Sequence, residues 1–133
     1  MFSVCLWTIS MILYRGFYDH DLTVRWARLL YFSAVFIPLF FLLHNLTLYY
    51  EDRIKLNFIK NFLIILPVIF ISILSLFPDY LIKDVIIVPF KEKIIVFNKT
   101  LHLIYALYIL VYFTIAFYFL IRYIILFLFF AYF

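Results

Sequence analysis

From Leu29 to Tyr50 the sequence runs for twenty-two residues, LLYFSAVFIPLFFLLHNLTLYY, without one Asp, Glu, Lys or Arg. Roughly 20 apolar residues, rising about 1.5 Å each, cross a hydrocarbon core of about 30 Å as a helix. Arg25 and Arg28 precede the run, and Glu51, Asp52 and Arg53 close it. A helix on the surface of a water-soluble domain keeps one polar face, whereas this stretch is apolar all round. It reads as a membrane-spanning helix.

The other charges fall into the same pattern. All eighteen charged residues lie at or outside the ends of four apolar runs, 2–14, 29–50, 61–78 and 101–121. Only 14% of the chain is charged, against roughly 25% in ordinary soluble domains. Outer-membrane strands would alternate apolar and polar residues over about ten positions, and these runs do not. The expected fold class is an all-α membrane protein. It has about four transmembrane helices, as in a partial seven-helix bundle, and one longer extramembrane loop, in a single membrane-embedded domain over 1–133. A net charge of +4 without a cluster of five basic residues gives no reason to expect nucleic acid as a partner. Cys5, the one cysteine, excludes an intramolecular disulfide.

The run 2–14 lacks the basic start and small-residue cleavage site of a signal peptide. At thirteen residues it is short for a span. It reads as the second half of a helix, or as a tilted or interfacial anchor. Gly16 suits a helix end, and Asp21 or Thr23 is placed to cap the next helix. Asp19-His20-Asp21 has metal-ligand residue types, but three neighbours without a second cluster read as a solvated loop. Within the central span, Pro38 removes an intrahelical bond and kinks the helix. His44 and Asn45 are the most polar pair in any span and are expected to face other helices or a wet cavity. They form either a site or an interhelical hydrogen bond.

In the third run, Pro67 lies inside the helix, and Ser72 and Ser75 share a face. Residues 79–100 change character: DVIIV and IIVF flank PFKEK. That pattern reads as a strand, a turn and a strand, or as an interfacial amphipathic stretch, and either makes a lid over one side of the bundle. In the last span Tyr105, Tyr108, Tyr112 and Phe119 recur near one face, a helix-packing stripe rather than a ligand cage. Arg122 ends that span, and the apolar tail 123–133 is too short to cross. Asn45-Leu46-Thr47 and Asn98-Lys99-Thr100 fit the glycosylation triplet, which carries little weight at this length.

Catalytic motifs are missing from the sequence. One glycine rules out phosphate-cradling loops. His20, His44 and His102 stand 24 and 58 residues apart, so they supply no helix-face pair for a metal or haem. No span contains a carboxylate of the kind proton-coupled pumps use. No enzyme activity and no cofactor are expected.

The order of residues resembles the N-terminal seven-transmembrane region of bacterial sensor histidine kinases, also found ahead of diguanylate cyclases. Trp26, Arg28, Leu29, Tyr31, Phe36, Ile37 and Pro38 match the opening of the third helix in that family. Ile64-Ile65-Leu66-Pro67 matches the next helix. Tyr105, Leu107, Tyr108, Tyr112, Phe113, Leu120, Ile121, Arg122 and Tyr123 match a later one. The likeness covers about residues 5 to 123 and implies family helices two to five, without the kinase and as though truncated. It implies a plasma-membrane sensory input region of a two-component system. Its partners would be the bilayer, other transmembrane helices (a homodimer included) and a small-molecule or membrane-borne stimulus. The residues carried over are Trp26, Arg28, Pro38, Tyr105, Tyr108 and Tyr112, with His44 and Asn45 as intramembrane polar candidates. A structural subunit of a respiratory-type membrane complex and a transporter-like protein are the rival readings. The resemblance puts the 51–60 loop and Arg122 inside. Basic residues point the other way, seven (Arg15, Arg25, Arg28, Lys83, Lys91, Lys93, Lys99) against four (Arg53, Lys55, Lys60, Arg122).

Overall fold

The computed structural model describes residues 1–50, 58–89 and 91–133. Four helices and one hairpin follow in the order α1 (Phe2–Gly16), α2 (His20–Tyr50), α3 (Phe58–Leu76), β1 (Ile82–Ile86), β2 (Ile94–Phe97) and α4 (Lys99–Tyr132). Three of the helices, α2, α3 and α4, are long and apolar enough to cross a membrane. The first run, expected to be short for a span, forms α1 with 15 residues, about 22 Å at 1.5 Å per residue, against a core of about 30 Å.

The outside of the bundle is as apolar as its core, and several polar side chains are turned inward. Ser3, Ser10, Thr23, Ser33, Asn45, Ser72 and Ser75 are buried, while Phe62, Leu63, Phe70, Leu103 and Leu110 are more than half exposed. In water that arrangement would waste apolar area. In lipid it is the stable one, because polar groups gain by facing other helices. The protein is therefore of the helical, multi-pass membrane type.

Helix α2 is the spine, packing against α1, α3, α4 and β1. It begins nine residues before the uncharged run, and Asp19 caps it. The Asp19 Oδ1 accepts from the N–H groups of Asp21 (2.9 Å) and Leu22 (3.4 Å). The expected caps, Asp21 and Thr23, lie two and four residues too late. Thr23 instead donates its hydroxyl to the carbonyl of Asp19 at 2.6 Å. Gly16 is the last residue of α1, not the residue after it, and its φ is not positive.

The strand-turn-strand reading of 79–100 holds. The chain leaves α3 through Asp79, whose φ of 65° is the left-handed turn that Asp tolerates. β1 and β2 then pair antiparallel, Ile82 with Phe97, Asp84 with Val96, Val85 with Ile95 and Ile86 with Ile94. Between Ile82 and Asp84 the register slips, leaving Lys83 as an extra residue in a bulge. Leu81, Ile82 and Val85 are buried in the common core, so the hairpin is packed onto the bundle. At its other end, Lys93 donates to the carbonyls of Tyr14 and Phe17 just where α1 stops. A lysine there satisfies carbonyls that the helix itself leaves open.

The second departure concerns α4. The span ends at 121 as a stretch without charge, but the helix runs on through Arg122 to Tyr132. Arg122 turns its Nε to the hydroxyl of Tyr118 at 3.2 Å, so one charge interrupts the hydropathy without breaking the helix.

Candidate functional site: tyrosines across two proline kinks

Tyr105, Tyr108, Tyr112 and Ala116 make up the buried face of α4. Their spacing of three, four and four residues keeps them on one side of a 3.6-residue helix. Each tyrosine hydroxyl reaches a backbone carbonyl of another helix. Tyr105 donates to Tyr31 at 3.0 Å, Tyr108 to Val35 at 2.8 Å, and Tyr112 to Ile64 at 2.5 Å. Further along, the Asn45 side-chain amide donates to the carbonyl of Ala116 at 3.1 Å. Acceptors and donors advance together on α2 and α4, so these two helices run parallel. Tyr112 alone crosses to α3.

Two of the three acceptors share a position. Val35 lies three residues before Pro38, and Ile64 lies three residues before Pro67. A helical proline offers no N–H to the carbonyl four residues earlier, and its ring pushes that turn open. Neighbouring helices can supply the missing donors in a membrane. The carbonyls so deprived are those of Ala34 and Leu63; Tyr108 and Tyr112, one turn apart on α4, bond the next carbonyl along in each opened turn, on two different helices. The rings also contact each other, 4.4 Å between centroids. Tyr31 packs against both Tyr105 (5.4 Å) and Phe97 of the hairpin (5.3 Å). Contacts thus run from the hairpin through Tyr31 to the ladder.

The candidates from the sequence separate on this frame. Pro38 is fully buried, and Asn45 is 1% exposed and bonded. His44, expected beside Asn45, is a correction: it is exposed on the outside of the described bundle. Adjacent residues point about 100° apart on a helix of 3.6 residues per turn, so both cannot meet α4. Trp26 is half-buried against the core. Arg28, also half-buried, lines a charged cavity with His20, Asp21, Val24, Arg25, Lys83 and Asp84. Phe119 is partly buried with its ring edge-on to Tyr49 at 5.3 Å. Ser75 bonds its own helix at the Ile71 carbonyl, while the buried Ser72 hydroxyl has no partner among the described residues. His102 rests its ring 4.3 Å from that of Phe97.

The pairing of His20 with Asp84 was not foreseen. His20 Nε2 lies 2.6 Å from the Asp84 carboxylate, and Nδ1 lies 3.4 Å from Asp21. Both groups sit outside the uncharged spans. The bond to Asp84 raises the His20 pKa above its ordinary value. The N–H of Val85, followed by His20, lowers that of Asp84. Sixty-four residues separate the pair, and no motif in the sequence links them. Among the described residues no group of three His, Cys, Asp or Glu side chains could hold a metal ion.

Comparison with protein-family models, with characterised proteins and with solved structures finds no match.

Proposed function

We propose that the chain serves as a membrane-embedded sensory input region of a bacterial signal-transduction protein in the plasma membrane, the role implied by the histidine-kinase resemblance. The observation that supports it is the tyrosine ladder. Signal passage needs an element with two arrangements of similar free energy. A hydroxyl bonded to a carbonyl in a proline-opened turn can exchange for another carbonyl of the same turn at small cost. A change in either kink would then move α4. That helix starts beside the hairpin and continues for 34 residues, about 51 Å at 1.5 Å each, so motion at one membrane face reaches the other. No catalytic step is assigned to the chain.

A test is to place the full chain in frame ahead of a histidine kinase core. Autophosphorylation in membranes is then compared for wild type and a Tyr108→Phe, Tyr112→Phe double variant. A several-fold change at equal membrane content supports the reading, and identical output in both refutes it. One observation favours a structural subunit instead: the outer face of α4 is apolar from Leu103 to Phe133 apart from Thr114 and Arg122, a surface that protein could cover as well as lipid. Recovery in fixed stoichiometry with a respiratory-type assembly would decide for that role.

A further inference from the structure

The β1 bulge has a consequence for charge. In a regular strand Lys83 and Asp84 would point to opposite faces. The extra residue turns both outward between the buried Ile82 and Val85. There they meet the side of α2 that carries His20, Asp21, Val24, Arg25 and Arg28, and the two elements frame an open cavity of about 350 Å3. That lies within the roughly 300–1,000 Å3 of ordinary small-molecule pockets.

The lining holds three cations, Arg25, Arg28 and Lys83, and two carboxylates, Asp21 and Asp84. The carboxylates are engaged by His20, at 3.4 and 2.6 Å. Among the described residues no ion pair engages any of the three cations. Arg28 adds a second, independent observation: its Nε is enclosed and has no hydrogen-bond partner. A buried donor left unmade is costly, so this N–H calls for an acceptor from outside the described chain. Two guanidinium groups and an ammonium around one opening match an anion with several oxygens, and phosphate fits arginine in a bidentate fashion. Depth narrows the source. Arg28 immediately precedes the uncharged run that begins at Leu29, which sets the cavity at the level of lipid headgroups.

We infer that the cavity between the start of α2 and the β1 bulge binds a phosphate ester, supplied by a phospholipid headgroup, with Arg25, Arg28 and Lys83 as its ligands. A soluble phosphate ester has the same chemistry and is separated from lipid by experiment.

The full chain in an uncharged detergent is titrated with a fluorescent short-chain phosphatidylglycerol. Competitors are unlabelled phosphatidylglycerol, diacylglycerol, glycerol 3-phosphate and inorganic phosphate. Saturable binding is expected, displaced by unlabelled phosphatidylglycerol, untouched by diacylglycerol and weakened by salt. Arg28→Gln should weaken it about tenfold or more, as expected for loss of a charge-assisted hydrogen bond. Lys83→Gln, on the exposed side of the hairpin, leaves the fold intact and should weaken it several-fold. Displacement by glycerol 3-phosphate at matched concentration would overturn the lipid as source. Absence of saturable binding, equal competition by diacylglycerol, or wild-type affinity in Lys83→Gln would each overturn the site itself.

Discussion

Tyr108→Phe removes one oxygen atom from the interior and nothing else, which makes it the cleanest probe of the ladder. The hydroxyl lies 2.8 Å from the Val35 carbonyl in a fully buried contact. An interhelical hydrogen bond in a membrane protein averages about 0.6 kcal/mol and reaches about 1.7 kcal/mol. Those values apply where the acceptor also has its own intrahelical N–H. Here the helical donor to Val35 is the N–H of Leu39, but the Pro38 ring pushes that turn open, which weakens the bond and adds part of the cost of an unsatisfied buried group, about 1–3 kcal/mol. The expected loss is therefore about 1.5 kcal/mol, towards the top of the membrane range. It should be read from reversible unfolding in mixed micelles of rising dodecyl sulfate content, followed by helical circular dichroism. Pro38→Ala returns a donor to Ala34 and removes the ring that opens the turn at Val35, so Tyr108→Phe in that background should cost no more than about 0.6 kcal/mol. The difference is a coupling of about 1 kcal/mol in a double-mutant cycle. Equal cost in both backgrounds would show that the proline does not create the demand for the hydroxyl, and the reasoning would fail.

Three other outcomes are expected. His44→Leu should insert and accumulate like wild type, since the side chain faces outward, whereas Asn45→Leu should lose the bond to Ala116 and lower stability in the same unfolding assay. Leu110→Arg places a charge on an exposed position of α4, at a cost of roughly 3 kcal/mol on the translocon scale. A glycosylation-based insertion assay should report failure of that span. The His20–Asp84 contact should be pH-dependent. With the His20 pKa raised, its contribution is complete below about 6.5 and is lost as pH climbs through the raised value. With the Asp84 pKa lowered, its part is present above the ordinary carboxylate range and is lost as pH falls through the lowered value. Docking of β1 is therefore tightest in mildly acid solution, and amide exchange at Val85 should slow there. Asp84→Asn should abolish that dependence and return His20 towards its ordinary titration in an NMR experiment.

Which features the sequence disclosed follows from the kind of signal each leaves. The central span and the hairpin were legible because apolar runs and β-branched pairs mark the chain directly. The Tyr105–Tyr108–Tyr112 stripe was legible as packing, from spacing alone. Its hydroxyl partners were not, since backbone carbonyls carry no residue type, and only Pro38 and Pro67 hint at where donors are wanted. Asp19, rather than Asp21 or Thr23, caps α2 because the helix starts in the polar stretch ahead of the apolar run. Hydropathy registers the membrane and is blind to the helix end. The same blindness put the limit of α4 at Arg122. His44 and Asn45 were alike in polarity, and only the direction of α4 tells them apart. The charged cavity needed a bulge and a 64-residue separation, neither of which periodicity can supply.

The Lys93 contact bears on the order of assembly. The first helix borrows its terminating donor from a residue 76 positions further along the chain. A nascent polypeptide therefore emerges with that end open, and it can be sealed only after two later helices have been threaded and the tip of the hairpin made. Contacts between distant parts of a chain form late, so α1 should settle after α2 and α3, although it is synthesised before them.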